Sequence, residues 1–253
     1  MFEHLKAFIH HGNRYIPDPT KSVLPAIHTG KPVISADNCE INCQQCAEIC
    51  PSKAIDKNPV SIELHKCVFC LECQFVCPIN KIKFTNDLRI SSNVVEKLKI
   101  VEGNNNSIEF DAEKIRKDVV RKIGRALRLR LVSAGSCNGC ELELGASGNV
   151  NFDMGRYGIE FLASPRHCDG LVITGPITQN SLDSVLLTYK AIAEPKIVIL
   201  VGSCATGGGL FENSPALTRQ IIEQLKPDLY IPGCPIHPLT FINGILDFLK
   251  AGK

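Results

Sequence analysis

The stretch KIVILVGSC, residues 196–204, decides the fold of the second half of the chain. It is an unbroken apolar run of strand length that ends at a glycine and a cysteine, as is typical of a strand buried on both faces of a parallel sheet. Runs of the same character occupy residues 129–135, 158–164, 170–176 and 228–233. Helical patterns follow at residues 180–193, 215–225 and 238–250. Strands that alternate with helices predict an α/β, flavodoxin-like, doubly wound sheet of five parallel strands.

The composition excludes several classes of protein. The 253 residues carry 28 basic and 26 acidic side chains, a net charge of +2, whereas a nucleic-acid-binding domain usually has a strongly basic face. The longest aliphatic runs are far shorter than the roughly 20 residues that span a bilayer, and the N-terminus lacks the apolar core of a signal peptide. The 13 cysteines therefore indicate a reduced, cytoplasmic protein whose thiols bind metal, rather than a secreted disulfide scaffold.

Changes in composition divide the chain into four parts. Residues 1–35 form an N-terminal arm with little periodicity, and residues 36–85 are dense in cysteine. Residues 86–128 are a linker with a basic helix that starts at Asp111 and runs towards Arg130, and residues 129–253 form the α/β domain. The helix lacks the bulky apolar anchors of a membrane-surface helix, which favours docking on the sheet or on a partner subunit.

Two cysteine-rich runs lie in the first half of the chain, CEINCQQCAEICP at residues 39–51 and CVFCLECQFVCP at residues 67–78. The second run has the C-x2-C-x2-C-x3-C-P spacing of bacterial ferredoxins with two clusters, in which three nearby thiolates hold one cluster and the fourth holds the other. The predicted sets of [4Fe–4S] ligands are Cys39, Cys43, Cys46 with Cys77, and Cys67, Cys70, Cys73 with Cys50. We expect residues 36–85 to form an α+β, ferredoxin-like domain.

The first run departs from the ferredoxin spacing, since three residues rather than two separate Cys39 from Cys43. Either a bulge absorbs the extra residue or another group replaces Cys39 as a ligand. Zinc is the alternative metal, because zinc sites also use C-x2-C pairs. Zinc sites do not, however, require a third thiol two residues on and a fourth before proline, twice over.

The remaining cysteines predict a third cluster. Cys137 and Cys140 follow the first strand of the α/β domain, Cys204 follows the fourth, and Cys234 follows the fifth. Loops at the carboxyl ends of parallel strands gather at one edge of a doubly wound sheet, so we expect these four thiolates to share one [4Fe–4S] cluster. A redox-active dithiol at Cys137 and Cys140 is the alternative, but it leaves the other two cysteines unexplained. Cys168 is expected to be a buried thiol.

No nucleotide site is predicted. The sequence contains no G-x-G-x-x-G fingerprint. The glycine-rich stretch ATGGGLF, residues 205–211, follows a cysteine and lacks the Lys-Ser/Thr of a phosphate-binding loop. We therefore expect no direct binding of flavin or nicotinamide.

Four segments of the second half carry a resemblance to a known family: SCNGCELEL (136–144), GRYGIEFLASPRHCDGLVITGPIT (155–178), VGSCATGGGLF (201–211) and PGCPIHP (232–238). Together they resemble the small, cluster-bearing subunit of membrane-associated group 4 [NiFe] hydrogenases, including formate hydrogenlyase. The same superfamily includes the complex I subunit that holds its terminal cluster. Complex I subunits have two adjacent cysteines at the first position, so the C-x-x-C here favours the hydrogenase branch.

The first half resembles the separate ferredoxin-like subunit of the same complexes, in its opening MFEHLKAFIHHG and in the two cysteine runs. The chain therefore looks like a fusion of the two subunits. It departs from the family at Ile236, where a second proline is usual, and at Cys168, where small residues are usual. Neither position is a predicted ligand.

The resemblance implies an electron-transfer subunit of a membrane-associated, energy-converting oxidoreductase that is not catalytic alone. Its three [4Fe–4S] clusters would relay electrons to or from the [NiFe] site of a hydrogenase large subunit. Membrane subunits of the same complex would hold it at the cytoplasmic face of the inner membrane. Glu141 would lie beside the third cluster, where hydrogenase small subunits have a carboxylate suspected in proton movement. The simpler role for Glu141 is that of an acidic residue in the first turn of a helix.

Two other functions are compatible with the sequence. In the first, the chain is a complex-I-like module whose nickel-free partner reduces a quinone or drives ion translocation, because nickel ligands would belong to the large subunit in any case. In the second, the cysteines hold zinc in a scaffold protein that has no redox role. Metal analysis and the sequence of the large subunit distinguish these possibilities.

Overall fold

The computed structural model describes residues 2–11, 15–39, 43–124 and 126–252. The first half of the chain is built from short elements. In chain order these are α1 (Phe2–His11), β1 (Pro32–Ile34), α2 (Gln45–Glu48), β2 (Ile55–Lys57), β3 (Val60–Glu63), α3 (Glu72–Val76), β4 (Ile82–Phe84), β5 (Lys99–Val101) and α4 (Lys117–Ile123). Single 3-10 turns occupy Pro19–Lys21, Val95–Leu98 and Ala112–Lys114.

Two small antiparallel sheets organise the cysteine-rich region. Strand β1 pairs with β4, and β3 pairs with both β2 and β5. The core between these sheets and the cysteine loops contains Ile34, Ile62, Leu64, Ile82 and Leu98, each at most 1% exposed. Strand β5 and Leu98 lie in the range predicted as linker, yet they close this core. The cysteine-rich segment therefore obtains part of its apolar interior from the residues that follow it.

The second half contains both α-helices and strands, and the strands within the described ranges form one parallel sheet. In chain order the elements are β6 (Leu127–Ser133), α5 (Gly139–Ala146), β7 (Ile159–Phe161), β8 (Gly170–Thr174), α6 (Leu182–Ala191), β9 (Ile197–Val201), α7 (Ser203–Gly207), α8 (Ile221–Leu225), β10 (Leu229–Ile231) and α9 (Pro238–Ala251). The strand order is β10-β9-β8-β6-β7. Numbered within this half, the order is 5-4-3-1-2, which is the flavodoxin-like arrangement. The predicted five-strand α/β sheet is thus confirmed.

Helices cover both faces of this sheet. Along β9 the side chains of Ile197, Ile199 and Val201 join one core, which also contains residues of α4 and α9. The alternate residues Val198 and Leu200 join a second core with residues of α6 and α8. Every residue of β8 and β9 is buried. The unbroken apolar character of these strands follows from burial on both faces.

The basic helix expected from Asp111 towards Arg130 is shorter than predicted. Asp111 caps a 3-10 turn, α4 ends at Ile123, and the first strand of the sheet already begins at Leu127. The Leu-Arg alternation of residues 127–130 fits the period of two of a strand, with Leu127 and Leu129 almost fully buried.

The apolar face of α4 lies in the same core as the sheet, so its predicted docking on the sheet is confirmed. Its buried side chains there are those of Val119, Val120 and Ile123. Among the helices of the described ranges, none combines the length and the hydropathy needed to cross a bilayer.

A short bridge joins the two halves at the edge of the parallel sheet. The backbone N–H of Tyr230 in β10 donates to the carbonyl of Ser92 at 2.8 Å, and the N–H of Ser92 donates back at 3.1 Å. Ser92 is fully buried. The segment before β5 therefore adds one antiparallel pairing to the outer strand β10.

Candidate metal centres

The first predicted ligand set lines one cavity. The thiols that line it are those of Cys39, Cys43, Cys46 and Cys77. Residues 40–42, which carry the extra residue of the C-x3-C spacing, lie outside the described ranges. Two lysines also line the cavity, and Nζ of Lys57 lies 3.8 Å from Sγ of Cys46. The second lysine, Lys81, is almost fully buried and forms an ion pair with Glu102 at 2.5 Å.

The second predicted set lines a separate cavity. Its thiols are those of Cys50, Cys67, Cys70 and Cys73, and the other lining residues include Ile55, Ile62, Leu71 and Phe84. Three residues of the first run and Cys77 of the second thus face one cavity, while three residues of the second run and Cys50 face the other. Each cavity is thus lined by three cysteines of one run and by one cysteine of the other.

The two C-P segments repeat the same local geometry. Three residues after each cysteine, Lys53 and Asn80 adopt φ angles of 49° and 51°, in the left-handed region. In the next residue, the N–H of Ala54 donates to Sγ of Cys50, and the N–H of Lys81 donates to Sγ of Cys77, each at 3.3 Å. Amide hydrogen bonds of this kind stabilise negative charge on cysteine sulfur. The repeat therefore provides equivalent backbone donors at both sites.

The third predicted set gathers at the carboxyl edge of the parallel sheet. Cys137 and Cys140 follow β6, Cys204 lies in α7 directly after β9, and Cys234 follows β10. These thiols lie close enough to affect one another: charges on Cys234 and Cys204 raise the pKa of Cys140 beyond the larger effect of its burial. Cys137 similarly raises the pKa of both Cys204 and Cys234, after burial. Loops that are far apart in sequence thus meet at one place.

A glycine makes this convergence possible. Gly202 joins β9 to α7 with φ of 86°, a conformation that side chains disfavour. A Cβ atom at this position would lie 2.5 Å from Sγ of Cys140. Only a residue without a side chain allows the loop after β9 to approach the cysteine after β6 so closely.

Burial raises the pKa values of the deepest thiols in the second and third sets. The pKa is about 12 for Cys67, Cys73 and Cys140 and about 11 for Cys204. Such thiols are protonated at neutral pH, whereas the form that binds metal is the thiolate. Metal binding at these sites must therefore release protons, which makes it dependent on pH.

Electrostatic contacts indicate the spatial order of the three sets. A charge on Cys46, in the first set, contributes to the raised pKa of Cys73 in the second set, after burial and closer thiols. A charge on Cys70, in the second set, contributes in the same way to the raised pKa of Cys234 in the third. The second set thus adjoins both of the others, and a hydrogen bond from Ser203, next to Cys204, to the carbonyl of Cys67 joins it to the third. Cys70, Cys137 and Cys234 are exposed, so the side with the second and third sets reaches the surface.

The helix that carries Cys204 is held by a half-buried arginine that no sequence pattern singles out. The guanidinium of Arg219 donates to the carbonyl oxygens of Cys204, Ala205 and Thr206 at 3.0–3.2 Å. The carbonyl of Cys204 also accepts the backbone N–H of Gly208 at 2.9 Å, so Arg219 adds a second donor there. Desolvation lowers the pKa of Arg219 from its usual value.

Glu141 lies in the first turn of α5, next to Cys140. Its Oε1 accepts hydrogen bonds from the hydroxyls of Thr174, at 2.7 Å, and Ser136. Oε2 is buried and has no partner within the described ranges. Burial raises the pKa of Glu141, but hydrogen bonds from neighbouring hydroxyls, including that of Ser133, outweigh this effect and leave the pKa below its usual value.

Two further residues near the sites have structural contacts. Cys168 is 4% exposed and donates to the carbonyl of Ser164, as expected of a buried thiol. His237 accepts the N–H of Leu239 on Nδ1 and thereby caps α9, and its ring packs against those of His28 and Phe152. Within the described ranges, no three His, Cys, Asp or Glu side chains are arranged to hold a single metal ion.

Comparison with known proteins identifies relatives of the second half of the chain. The family described as NADH ubiquinone oxidoreductase, 20 Kd subunit, matches residues 137–248, a range that includes the third cysteine set. The probable membrane-bound hydrogenase subunit mbhJ of Pyrococcus furiosus is 39% identical over 142 residues, which cover 56% of this chain and 85% of that protein.

Two other relatives belong to different complexes. Formate hydrogenlyase subunit 7 of Escherichia coli is 33% identical over 54% of each protein. A subunit of the NADH-quinone oxidoreductase of Geotalea daltonii is 39% identical over 45% of this chain and 67% of that protein. All three relatives are named as subunits of hydrogenase, formate hydrogenlyase or NADH-quinone oxidoreductase, which are oxidoreductases. The extent of these matches shows that the chain belongs to the NADH ubiquinone oxidoreductase 20 Kd subunit family, which its hydrogenase relatives share.

Proposed function

We propose that the chain is an iron–sulfur electron-transfer subunit that holds three [4Fe–4S] clusters. The observation that carries the proposal is the grouping of 12 of the 13 cysteines into three sets of four, with the second set adjoining both of the others. When bound, each cluster takes up and releases one electron. The cysteines hold the clusters, and the order of the sets gives a path through the chain.

The surroundings of the cysteines fit clusters of this type. The first two sets face cavities in which apolar side chains such as Ile82 and Ile62 exclude water. Backbone amides donate to Sγ of Cys50, Cys67 and Cys77 at 3.3–3.4 Å. Low solvent access and amide donors are the features with which proteins stabilise iron–sulfur clusters and adjust their potentials.

The partner in this proposal is a hydrogenase large subunit-like protein with a [NiFe] site, within a membrane-bound complex at the cytoplasmic face of the inner membrane. The relatives named as hydrogenase and formate hydrogenlyase subunits support this assignment. In this proposal the partner docks beside the third set, where Cys137 and Cys234 are exposed, because exposed apolar side chains lie near it in sequence: Leu142, Leu210 and Phe211. Large exposed apolar residues are typical of surfaces that bind another protein.

A complex-I-like function is the second candidate, with a nickel-free partner that reduces a quinone or drives ion translocation. The relative from NADH-quinone oxidoreductase supports this candidate, because it is as similar to this chain as the hydrogenase relative is: each is 39% identical over its matched region. The neighbouring large-subunit sequence decides between the two. Paired C-x-x-C motifs near both of its ends indicate nickel, and their absence excludes hydrogen chemistry.

Metal analysis of the full chain tests the proposal against a zinc scaffold. After anaerobic purification we expect about twelve irons per chain, as three [4Fe–4S] clusters require, with matching acid-labile sulfide. The Cys204→Ser variant should lose one cluster or convert it to a form with fewer irons, whereas Cys168→Ser should retain all three. A colourless protein with two or three zinc ions would contradict the proposal.

A further inference from the structure

A single buried hydroxyl joins three loops that carry predicted ligands. The Ser203 side chain, fully buried, donates to the carbonyl of Cys67 at 2.5 Å. The backbone N–H of Ser203 donates to the carbonyl of Gly233 at 2.9 Å, and the N–H of Gly233 reaches the hydroxyl at 3.4 Å. Ser203 directly precedes Cys204, and Gly233 directly precedes Cys234. One residue therefore connects a ligand of the second set with two ligands of the third.

The same helix makes a second contact with the cysteine-rich half. The Thr206 hydroxyl donates to the carbonyl of His65 at 2.7 Å. One residue later, a Cβ atom on Gly207 would lie 2.3 Å from that carbonyl oxygen. We call this contact, between residues 203, 206 and 207 of α7 and the backbone of residues 65–67, the α7 seam. The seam is closed by hydrogen bonds and leaves no room for a side chain at residue 207.

The seam lies between the loop that carries Cys67 and the helix that carries Cys204. The hydrogen bond from Ser203 to Cys67 runs through the same region. Electronic coupling falls more steeply with distance across non-bonded contact than along bonds and hydrogen bonds, so the hydrogen-bonded seam matters for electron transfer between these sets.

We propose that Ser203 is a positioning residue that fixes the gap between the second and third clusters and thereby sets their electronic coupling. The inference rests on the proposed function, because it requires clusters at both sites. Transfer of one electron across the seam oxidises one cluster and reduces the other, and no bond forms or breaks. Ser203 holds the two ligand loops together through its hydrogen bonds, and Gly207 allows their close approach because it has no side chain.

Four variants of the full chain test this role. Ser203→Ala removes the hydrogen bond between the loops, and Gly207→Ala pushes the seam open by steric contact. Thr206→Val removes a seam hydrogen bond that touches no ligand residue. Ser147→Ala is the matched control, because the Ser147 hydroxyl is also fully buried but donates to the Glu143 carbonyl within its own helix.

The readout is the magnetic interaction between the second and third clusters in the reduced protein, measured by electron paramagnetic resonance. We expect a weaker interaction in Ser203→Ala and in Gly207→Ala, a smaller change in Thr206→Val, and none in Ser147→Ala, with iron content retained throughout. Iron content and thermal unfolding are recorded for each variant. They distinguish a changed distance between the two clusters from the loss of a cluster or of the fold.

An interaction of wild-type strength in iron-replete Ser203→Ala overturns the proposal. If that variant does not fold, Gly207→Ala decides, and a wild-type interaction there overturns it. A wild-type chain without clusters contradicts the proposed function instead. The two failures are therefore distinguishable.

Discussion

The side-chain amine of Lys57 lies 3.8 Å from the sulfur of Cys46, at the cavity that the first ligand set surrounds. Reduction adds negative charge to a cluster, so a nearby cation stabilises the reduced form and raises the midpoint potential. We expect Lys57→Gln to lower the potential of the first cluster. A unit charge about 4 Å away contributes about 1–4 kcal/mol depending on the local dielectric, which for one electron corresponds to a decrease on the order of 50–150 mV.

Redox titration followed by electron paramagnetic resonance measures this shift. Lys57→Arg keeps the charge and should retain most of the potential. Lys83→Gln is the matched control, since Lys83 is an exposed lysine on β4 that does not line the cavity. Equal shifts in Lys57→Gln and Lys83→Gln would show that overall charge, and not the contact with Cys46, is responsible.

Gly202→Ala should selectively remove the third cluster. The added methyl group would collide with Sγ of Cys140 at 2.5 Å, and the φ angle of 86° is unfavourable for alanine. We expect the iron content to fall by one cluster while the signals of the first two clusters persist. Gly145→Ala is the control, because no atom lies within 4 Å of its added Cβ and alanine favours the helix. Three intact clusters in Gly202→Ala would contradict the geometry of the third site.

The ion pair between Arg116 and Asp228 should contribute measurably to stability. Nε and Nη2 of Arg116 contact the two carboxylate oxygens at 2.7 and 2.8 Å, and the Asp228 side chain is 7% exposed. Arg116→Gln leaves this carboxylate without its cation, so we expect a loss of about 1–3 kcal/mol in the free energy of unfolding. The exposed pair of Arg128 and Glu160 is the control, and Arg128→Gln should change stability by about 0–1 kcal/mol. Urea unfolding of both variants checks the difference.

The lowered pKa of His237 predicts that the free energy of unfolding decreases as the pH falls. Burial, assisted by a charge on His28, lowers the pKa of His237 from 6.5 to about 4. The unfolded chain therefore takes up a proton at a higher pH than the folded chain does. The contribution of His237 is complete above about pH 6.5 and is lost as the pH falls towards about 4. Protonation of Nδ1 also removes the acceptor that caps α9.

His237→Asn tests this dependence, because asparagine is a good helix cap that does not titrate. The difference in unfolding free energy between wild type and variant should shift in favour of the variant between about pH 6.5 and 4. Contributions common to both proteins cancel in this difference. A difference that is constant with pH would exclude His237 as the source.

Glu141→Gln tests the predicted role of Glu141 in proton movement. In the assembled complex we expect activity to fall on the order of a hundredfold, as for loss of a proton-transfer group, while cluster signals persist. Glu143→Gln on the same helix is the control. Unchanged activity in Glu141→Gln would contradict a role in proton transfer. The role of Glu141 would then be structural, as an acidic residue in the first turn of α5 that accepts hydrogen bonds from Thr174 and Ser136.

The parallel sheet was predictable because its strands are buried on both faces. Every residue of β8 and β9 must be apolar or small, so their positions follow from composition alone. The end of α4 was not predictable in the same way. Residues 127–130 alternate leucine and arginine and continue the basic segment before them, so a helix could extend through them until pairing with β7 and β8 selects the strand.

The grouping of the cysteines into ligand sets stays a prediction from spacing and topology, whereas the other residues that contact these sets could not be predicted. Lys57 lies 11 positions from Cys46, and Ser203 lies 136 positions from Cys67. These contacts depend on how segments that are distant in sequence pack together, and a local sequence pattern does not predict this packing. The one available signal for Ser203 was its position directly before a predicted ligand.

The bridge between Ser92 and Tyr230 bears on the behaviour of the protein at high concentration. An open outermost strand offers unpaired amides and carbonyls on which a neighbouring molecule can build a further strand. The preceding segment of the same polypeptide already occupies this position beside β10. Keeping both halves on one chain thus protects a site of aggregation, which a protein cut after residue 124 would uncover.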